Sequence, residues 1–181
     1  MTSKTIIIGL VGIIILAGLS VNDAFAAAYI KFDGIDGESV DRNHDKWINL
    51  DSWSWGATQT GTGGGGGAGK VSVQNFSFDK TVDKASPKLF EALTTGKHIK
   101  EATLELCRPS GADQSQCYLV IKLTDVMVSG YQIGGSSENV PTDQISLNFA
   151  KIEFSYKPQK ADGQLDSPVK ATYDVKAAKK V

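Results

Sequence analysis

Apolar residues recur at every second position over most of the chain after residue 28, and this alternation constrains the fold more than any other feature. Tyr29-Ile30-Lys31-Phe32 opens it. Trp47–Trp55 continues it, with Trp47, Trp53 and Trp55 in one phase and Ile48 and Leu50 in the other. Lys70–Phe78 follows, with Phe76 and Phe78 in phase. Ala102, Leu104 and Leu106 alternate with Thr103, Glu105 and Cys107. Cys117–Val128 is rich in Val, Ile and Leu, Ile145–Phe149 alternates, and Val169–Lys176 ends the series. A period of two is the signature of a strand with one face buried. Repeated strands with turn residues between them predict a mainly β chain, an antiparallel barrel or sandwich. The phase slips by one residue at Ala150–Lys151, before Ile152, Phe154 and Tyr156, which reads as a β-bulge.

One stretch breaks the alternation. Ser86–Gly96 reads as a short helix over about 86–95, with Ser86 accepting at the N-terminus, Pro87 at the first helical position and Gly96 as the left-handed stop. Leu89, Phe90 and Leu93 form an apolar stripe to lay on a sheet.

The N-terminus has a separate logic. Lys4 precedes an uncharged apolar run, and Ala24-Phe25-Ala26 supplies the small-x-small end of a secretory leader. The reading is a signal peptide over 1–26, cleaved after Ala26 with Ala28 as the alternative site, and one domain over 27–181. A retained membrane anchor is the competing reading, since the run approaches the roughly 17–25 residues that span a bilayer. Contact with a membrane is otherwise not expected. The localisation that follows is secreted, by the general secretory route.

The chain carries a net charge of −1, so nothing steers it toward nucleic acid. Its two cysteines, Cys107 and Cys117, flank a polar turn. A symmetric hairpin centred on Ala112 places them opposite each other, within reach of a disulfide. Two separate free thiols remain the alternative.

Motifs for chemistry fall short. Gly64, Gly69 and Lys70 nearly spell a phosphate-binding loop, but Val71 stands where Ser or Thr must hold magnesium, and a strand is expected where the helix should begin. Gly63, Gly64, Gly65, Gly66 and Gly67 are therefore read as a long connection between strands. Asp41-Arg42-Asn43-His44-Asp45 has the opening spacing of a calcium loop, yet Lys46 replaces the required glycine and Ser52 the required glutamate. It reads as a polar turn. His44 and His98 are too few for a histidine-rich metal site, and each reads as a surface histidine. No Gly-x-Ser-x-Gly nucleophile elbow occurs, and Asp36, Glu38, Glu91 and Glu105 pair as acid and base only by guesswork. No catalytic residue, cofactor or metal is expected. Asn75-Phe76-Ser77 is a glycosylation triplet, read as lying inside a strand.

The residues taken in order carry a resemblance. Asp36-Gly37-Glu38-Ser39 with His44, Trp47–Leu50, Trp53–Gly56, the stretch 63–99 and SLNFAKIEFSYKPQKADG at 146–163 together resemble the haemolysin-coregulated protein (Hcp) family over about residues 28–181. The resemblance implies a two-sheet β-barrel with one short helix. It implies hexameric rings of identical subunits that stack into a hollow tube in type VI secretion, with a spike protein, a sheath and small cargo proteins as partners. It implies a structural part and not an enzyme. Closing a ring needs heterologous contacts, and the assembly candidates are Gly63–Gly67 and the stretch Asp33–His44, with Asp36 and Glu38. The leader departs from the family, whose members are exported by the secretion machine itself. This leaves three readings: an exported Hcp-like ring former outside type VI secretion, an orthodox tube subunit with an uncleaved N-terminus, and a monomeric secreted binding module.

Overall fold

The structure is a computed structural model that describes residues 26–61, 71–110 and 115–181. Among these, eleven strands and one helix follow in order: β1 Ala27–Phe32, β2 Ile48–Leu50, β3 Ser52–Ser54, β4 Ala57–Gln59, β5 Val71–Val73, β6 Phe76–Thr81, α1 Ser86–Thr95, β7 Ile99–Pro109, β8 Ser115–Ser136, β9 Asn139–Tyr156, β10 Val169–Asp174 and β11 Lys179–Lys180. All pairings are antiparallel. The fold is mainly β with one short helix, as the alternation requires.

The long hairpin of β8 and β9 organises the molecule. The C-terminal part of β9 pairs with β10, and its N-terminal part pairs with β6, which carries β3 on its other side. β8 pairs with β7, which continues to β1 and β2. These pairings make one continuous nine-stranded sheet that folds into two layers, β11, β10, β9, β8, β7, β1, β2 in one and β3, β6 and the far part of the β9–β8 hairpin in the other, while β4 and β5 pair separately. The core between them holds Ile30 and Phe32 of β1, Phe76 and Phe78 of β6, Leu104, Ile121, Leu123, Ile145 and Leu147, all buried.

The two sheets explain the phase slips. In β8 the buried set passes from Leu119, Ile121 and Leu123 to Val126 and Val128. In β9 it passes from Leu147 and Phe149 to Ile152. Val126 pairs with Phe149 and Leu123 with Ile152, so both strands reverse faces at one level. Asp125 takes a left-handed backbone there, with φ 56°. The expected bulge at Ala150–Lys151 is therefore not a register shift. It is a shared corner at which the hairpin passes from one sheet to the other with its register kept. The Ala150 carbonyl, freed from the ladder, accepts from the Val175 amide at 2.8 Å.

A second corner lies at Asp51. Trp47–Trp55 is not one strand: it divides into β2, paired to β1, and β3, paired to β6. The Asp51 amide donates to the Asp79 carbonyl at 2.9 Å. Because the face reverses there, Ile48 and Leu50 point into the core, and Trp53 and Trp55, of opposite phase, pack against it too. Lys70–Phe78 also divides, at Gln74–Asn75, so Asn75 is exposed between strands and not inside one. Its amide donates to Ser129 Oγ at 3.1 Å.

The helix begins and ends as predicted, and Gly96 is left-handed at φ 64°. Its capping differs. Ala85 occupies the cap position and Ser86 lies within the first turn, where its hydroxyl serves a buried network instead. Leu89 and Ala92 face the core, while Phe90 turns outward onto Tyr131, ring centroids 5.6 Å apart.

Candidate assembly surface

Three surface features are candidates for contact with another molecule. The first is the stretch between β1 and β2. Gly37 N–H donates to the Lys46 carbonyl at 2.8 Å, Lys46 N–H to the Ser39 carbonyl at 3.0 Å and Ser39 N–H to the Trp47 carbonyl at 2.9 Å, which folds the stretch into a narrow ribbon. Val40 stands at its tip with 94% of its surface exposed. Asp36 is exposed and pairs with Lys31 at 2.6 Å, a hydrogen bond that holds its carboxyl below the usual range. Glu38 is exposed and accepts from the Lys84 amide at 3.0 Å, tying the ribbon to the approach of α1. Asp36 and Glu38 thus shape the ribbon while remaining at its surface.

The second feature is the end of the β8–β9 hairpin. Beyond the Thr81–Thr142 pair, β6 no longer pairs with it, and Gly135–Ser136 and Asn139–Pro141 are exposed. Val140 at the tip and Ile133, opposite Asp143 just before it, project apolar surface. The third is an apolar depression of about 250 Å³ lined by Trp55, Ile152, Phe154, Ala171 and Tyr173, among others. Phe154, Tyr156 and Val169 lie exposed around it. The glycine candidates Gly63–Gly67 lie outside the described residues.

Two polar clusters lie inside. At the start of α1, Lys80 is fully buried. Its ammonium donates to Asp83 Oδ1 at 2.7 Å, Ser86 Oγ at 2.7 Å and the Thr81 carbonyl at 3.0 Å, and lies 3.0 Å from Asp143 Oδ2. Asp143 also accepts from Ser86 Oγ and, at 2.8 Å, from the Tyr131 hydroxyl. Burial pushes the Asp143 carboxyl up, but the bonds from Ser86, Lys80 and Tyr131 outweigh it and hold it below its ordinary value. Burial and the same carboxylate push Tyr131 up to about 12. The network locks α1 onto the barrel.

The second cluster surrounds His44. The 41–45 stretch is the expected polar turn, with Asp41 Oδ1 accepting from the Asn43 and His44 amides at 2.9 and 3.0 Å. His44 is not at the surface, however: only 1% of it is exposed. Tyr29 stacks on its ring at 4.1 Å and Trp47 meets it edge-on at 4.9 Å. Nδ1 lies 2.7 Å from Asp41 Oδ1, and Nε2 lies 3.0 Å from Glu105 Oε2. Burial raises the Asp41 carboxyl, and the bonds with His44 and the Asn43 amide reverse this to a net lowering. Tyr29 is raised by burial and by Asp41. Cys107 and Cys117 are paired across β7 and β8, as the hairpin argument places them, with their sulfurs in disulfide contact. Both sulfurs face His44 Nε2, at 3.6 and 3.7 Å. His98 is exposed, beside Asp125 at 2.6 Å.

The four carboxylates weighed as acid and base have different partners: Lys31 for Asp36, the Lys84 amide for Glu38, Lys88 for Glu91 and His44 for Glu105. The His44 cluster escaped sequence reasoning because Glu105, Cys107 and Cys117 lie more than sixty residues from His44.

Comparison with known proteins decides the family. The family described as "Type VI secretion system effector, Hcp" matches residues 29–156. The chain belongs to the Hcp family. It is 46% identical over 153 residues to the hcp1 protein of Pseudomonas aeruginosa, covering 82% of this chain and 94% of that protein. Its fold is similar to a solved type six secretion system protein (TM-score 0.79, 29% identity, 87% of this chain and 100% of the other). It is also similar to Hcp1 of Salmonella typhimurium (TM-score 0.70, 34% identity, 86% and 99%). The two-sheet arrangement with a single helix is therefore the Hcp fold.

Proposed function

We propose that this chain is a structural tube subunit, without catalytic activity, whose copies close into hexameric rings that stack into a hollow tube able to carry small cargo. The observation that carries this reading is the 46% identity to P. aeruginosa hcp1 across 94% of that protein. The surface supports it. A two-stranded tip is marginal alone in water, and the hairpin tip at Val140 gains support if a neighbouring subunit packs on it. The Phe154–Val169 face offers the apolar patch that a heterologous contact buries. The ribbon at Asp36–Glu38 and the Gly63–Gly67 connection are the stacking contacts. By the same family logic, a spike protein, a sheath and small cargo proteins are the further partners.

Export through a leader over 1–26 belongs to the same proposal, with 27–181 as the mature domain. Cleavage after Ala26 spares β1, whose first residue, Ala27, pairs with Cys107. Cleavage after Ala28 removes the Ala27–Cys107 and Ala28–Leu106 pairs. A second reading, export outside type VI secretion, is favoured by the contact between the Cys107 and Cys117 sulfurs, which suits an oxidising compartment.

Light scattering and electron microscopy of the purified protein test the assembly. Six-membered rings are expected, and a monomer persisting at high concentration overturns it. The mass of the N-terminus separates the export routes: a chain starting at Ala27 supports the leader, and an intact Met1 refutes it.

A further inference from the structure

The geometry points to a redox-gated zinc site made by His44, Glu105, Cys107 and Cys117: closed while the cysteines are joined, and open to Zn²⁺ once they are reduced. This inference does not depend on ring assembly. One donor atom from each of the four residues lies within 4.8 Å of all the others. In a tetrahedral site with bonds of about 2.0–2.3 Å, neighbouring donors stand about 3.3–3.8 Å apart. His44 Nε2 is already 3.6 and 3.7 Å from the two sulfurs and 3.0 Å from Glu105 Oε2. Three of the six donor spacings therefore stand near those of a bound site. The sulfur pair is the one that must change, parting to about 3.7 Å.

The imidazole is prepared for a cation. Asp41 Oδ1 sits 2.7 Å from Nδ1, in place to accept that nitrogen's proton when Nε2 serves as the ligand atom, the support usual behind a zinc-bound histidine. Nε2 faces the Glu105 carboxylate at 3.0 Å, a contact that a proton holds in the closed state and a metal cation would take over in the open one. Tyr29 and Trp47 fix the ring plane. Two thiolates with one imidazole select a borderline-soft ion of the zinc class over magnesium or calcium.

The chemistry balances. Two molecules of a thiol reductant give two electrons and two protons to the Cys107–Cys117 bond and leave as their own disulfide. Zn²⁺ then displaces both cysteine protons as two Zn–S bonds form. In the reverse direction, a peroxide takes two electrons from the thiolates and, with two protons, becomes two waters. The sulfur–sulfur bond re-forms and Zn²⁺ is released.

Titration of the purified protein with Co²⁺ and Zn²⁺ tests this, before and after reduction by a phosphine, which takes its oxygen from water. The reduced protein is expected to bind one Co²⁺ per chain, with thiolate-to-cobalt charge transfer and the strong visible bands of tetrahedral cobalt, and to exchange it for Zn²⁺. The oxidised protein shows neither. Asp41→Asn is expected to weaken zinc binding about 10–100-fold while the charge-transfer band persists, an effect a purely structural role would not produce. Where reduction loosens the fold, the readout is the melting temperature, which Zn²⁺ raises for the reduced protein alone. Equal affinity in the two redox states, a reduced protein with no thiolate–cobalt band and no Zn²⁺-dependent rise, or unchanged affinity in His44→Ala overturns the site.

Discussion

Replacing Lys80 by methionine keeps the length of the side chain and removes its charge. The ammonium it deletes is fully buried and serves Asp83, Asp143, Ser86 and the Thr81 carbonyl within 2.7–3.0 Å. Removing one partner of a buried ion pair costs about 3–5 kcal/mol, because the other charge stays behind. Asp143 keeps two donors, Ser86 Oγ and the Tyr131 hydroxyl, which places the cost near the lower end, about 3 kcal/mol. For a domain of this size each kcal/mol lowers the melting temperature by about 2–4 °C, so a fall of about 6–12 °C is expected in thermal unfolding followed by circular dichroism. Asp143→Asn in the same background removes the stranded charge and should recover at least half of the loss. The pH dependence has a fixed sign. The folded-state value of Asp143 lies below its ordinary 3.8, so its contribution is present above that value and is lost as pH falls through the lowered one. The gap between wild type and Lys80→Met should therefore narrow below about pH 4. A cost under about 1 kcal/mol, or strictly additive single variants, would falsify the account of the network.

Gly37→Ala is expected to lower stability by about 1–3 kcal/mol in the same melting assay, since an added Cβ would press into the Trp47 carbonyl and lie 2.6 Å from Ile48 Cγ1. An unchanged melting temperature would show that the ribbon between β1 and β2 is not held as described. Phe154→Asp places a charge on the apolar depression. The circular dichroism spectrum should stay unchanged while light scattering shows rings replaced by monomers, and intact rings would exclude this face from the contact. Deleting three of Gly63–Gly67 should leave rings intact but shorten or abolish stacks in micrographs, and unchanged tubes refute a stacking role. Gly96→Ala forces a side chain into a left-handed cap at φ 64° and should cost about 1 kcal/mol. A neutral result would mean that this end of α1 relaxes freely.

The sequence alone settled much that depends on near neighbours. Alternation fixed which segments are strands, because a period of two is set by the pleat and needs no partner. Pro87 and Gly96 bounded the helix through their own backbone preferences. The short connection between Cys107 and Cys117 placed the two residues opposite each other, and β7 pairs with β8 in that register. The order of these segments identified the Hcp family. What the chain could not reveal alone was which sheet each strand joins. Trp53 and Trp55 were out of phase with Ile48 and Leu50, yet both sets pack on one core because the chain changes sheets at Asp51. The slip at Ala150 looked like a bulge because its matching slip at Asp125 lies on another strand, and only pairing shows that the two cancel. His44 reads as a surface residue by type, and nothing in the segment around Lys80 marks it for burial, since key partners, Asp143 for Lys80 and Glu105 and the cysteines for His44, arrive from distant strands. Burying a charged or titratable group is favourable only where such partners converge. That convergence is a property of the closed barrel and not of any segment in it.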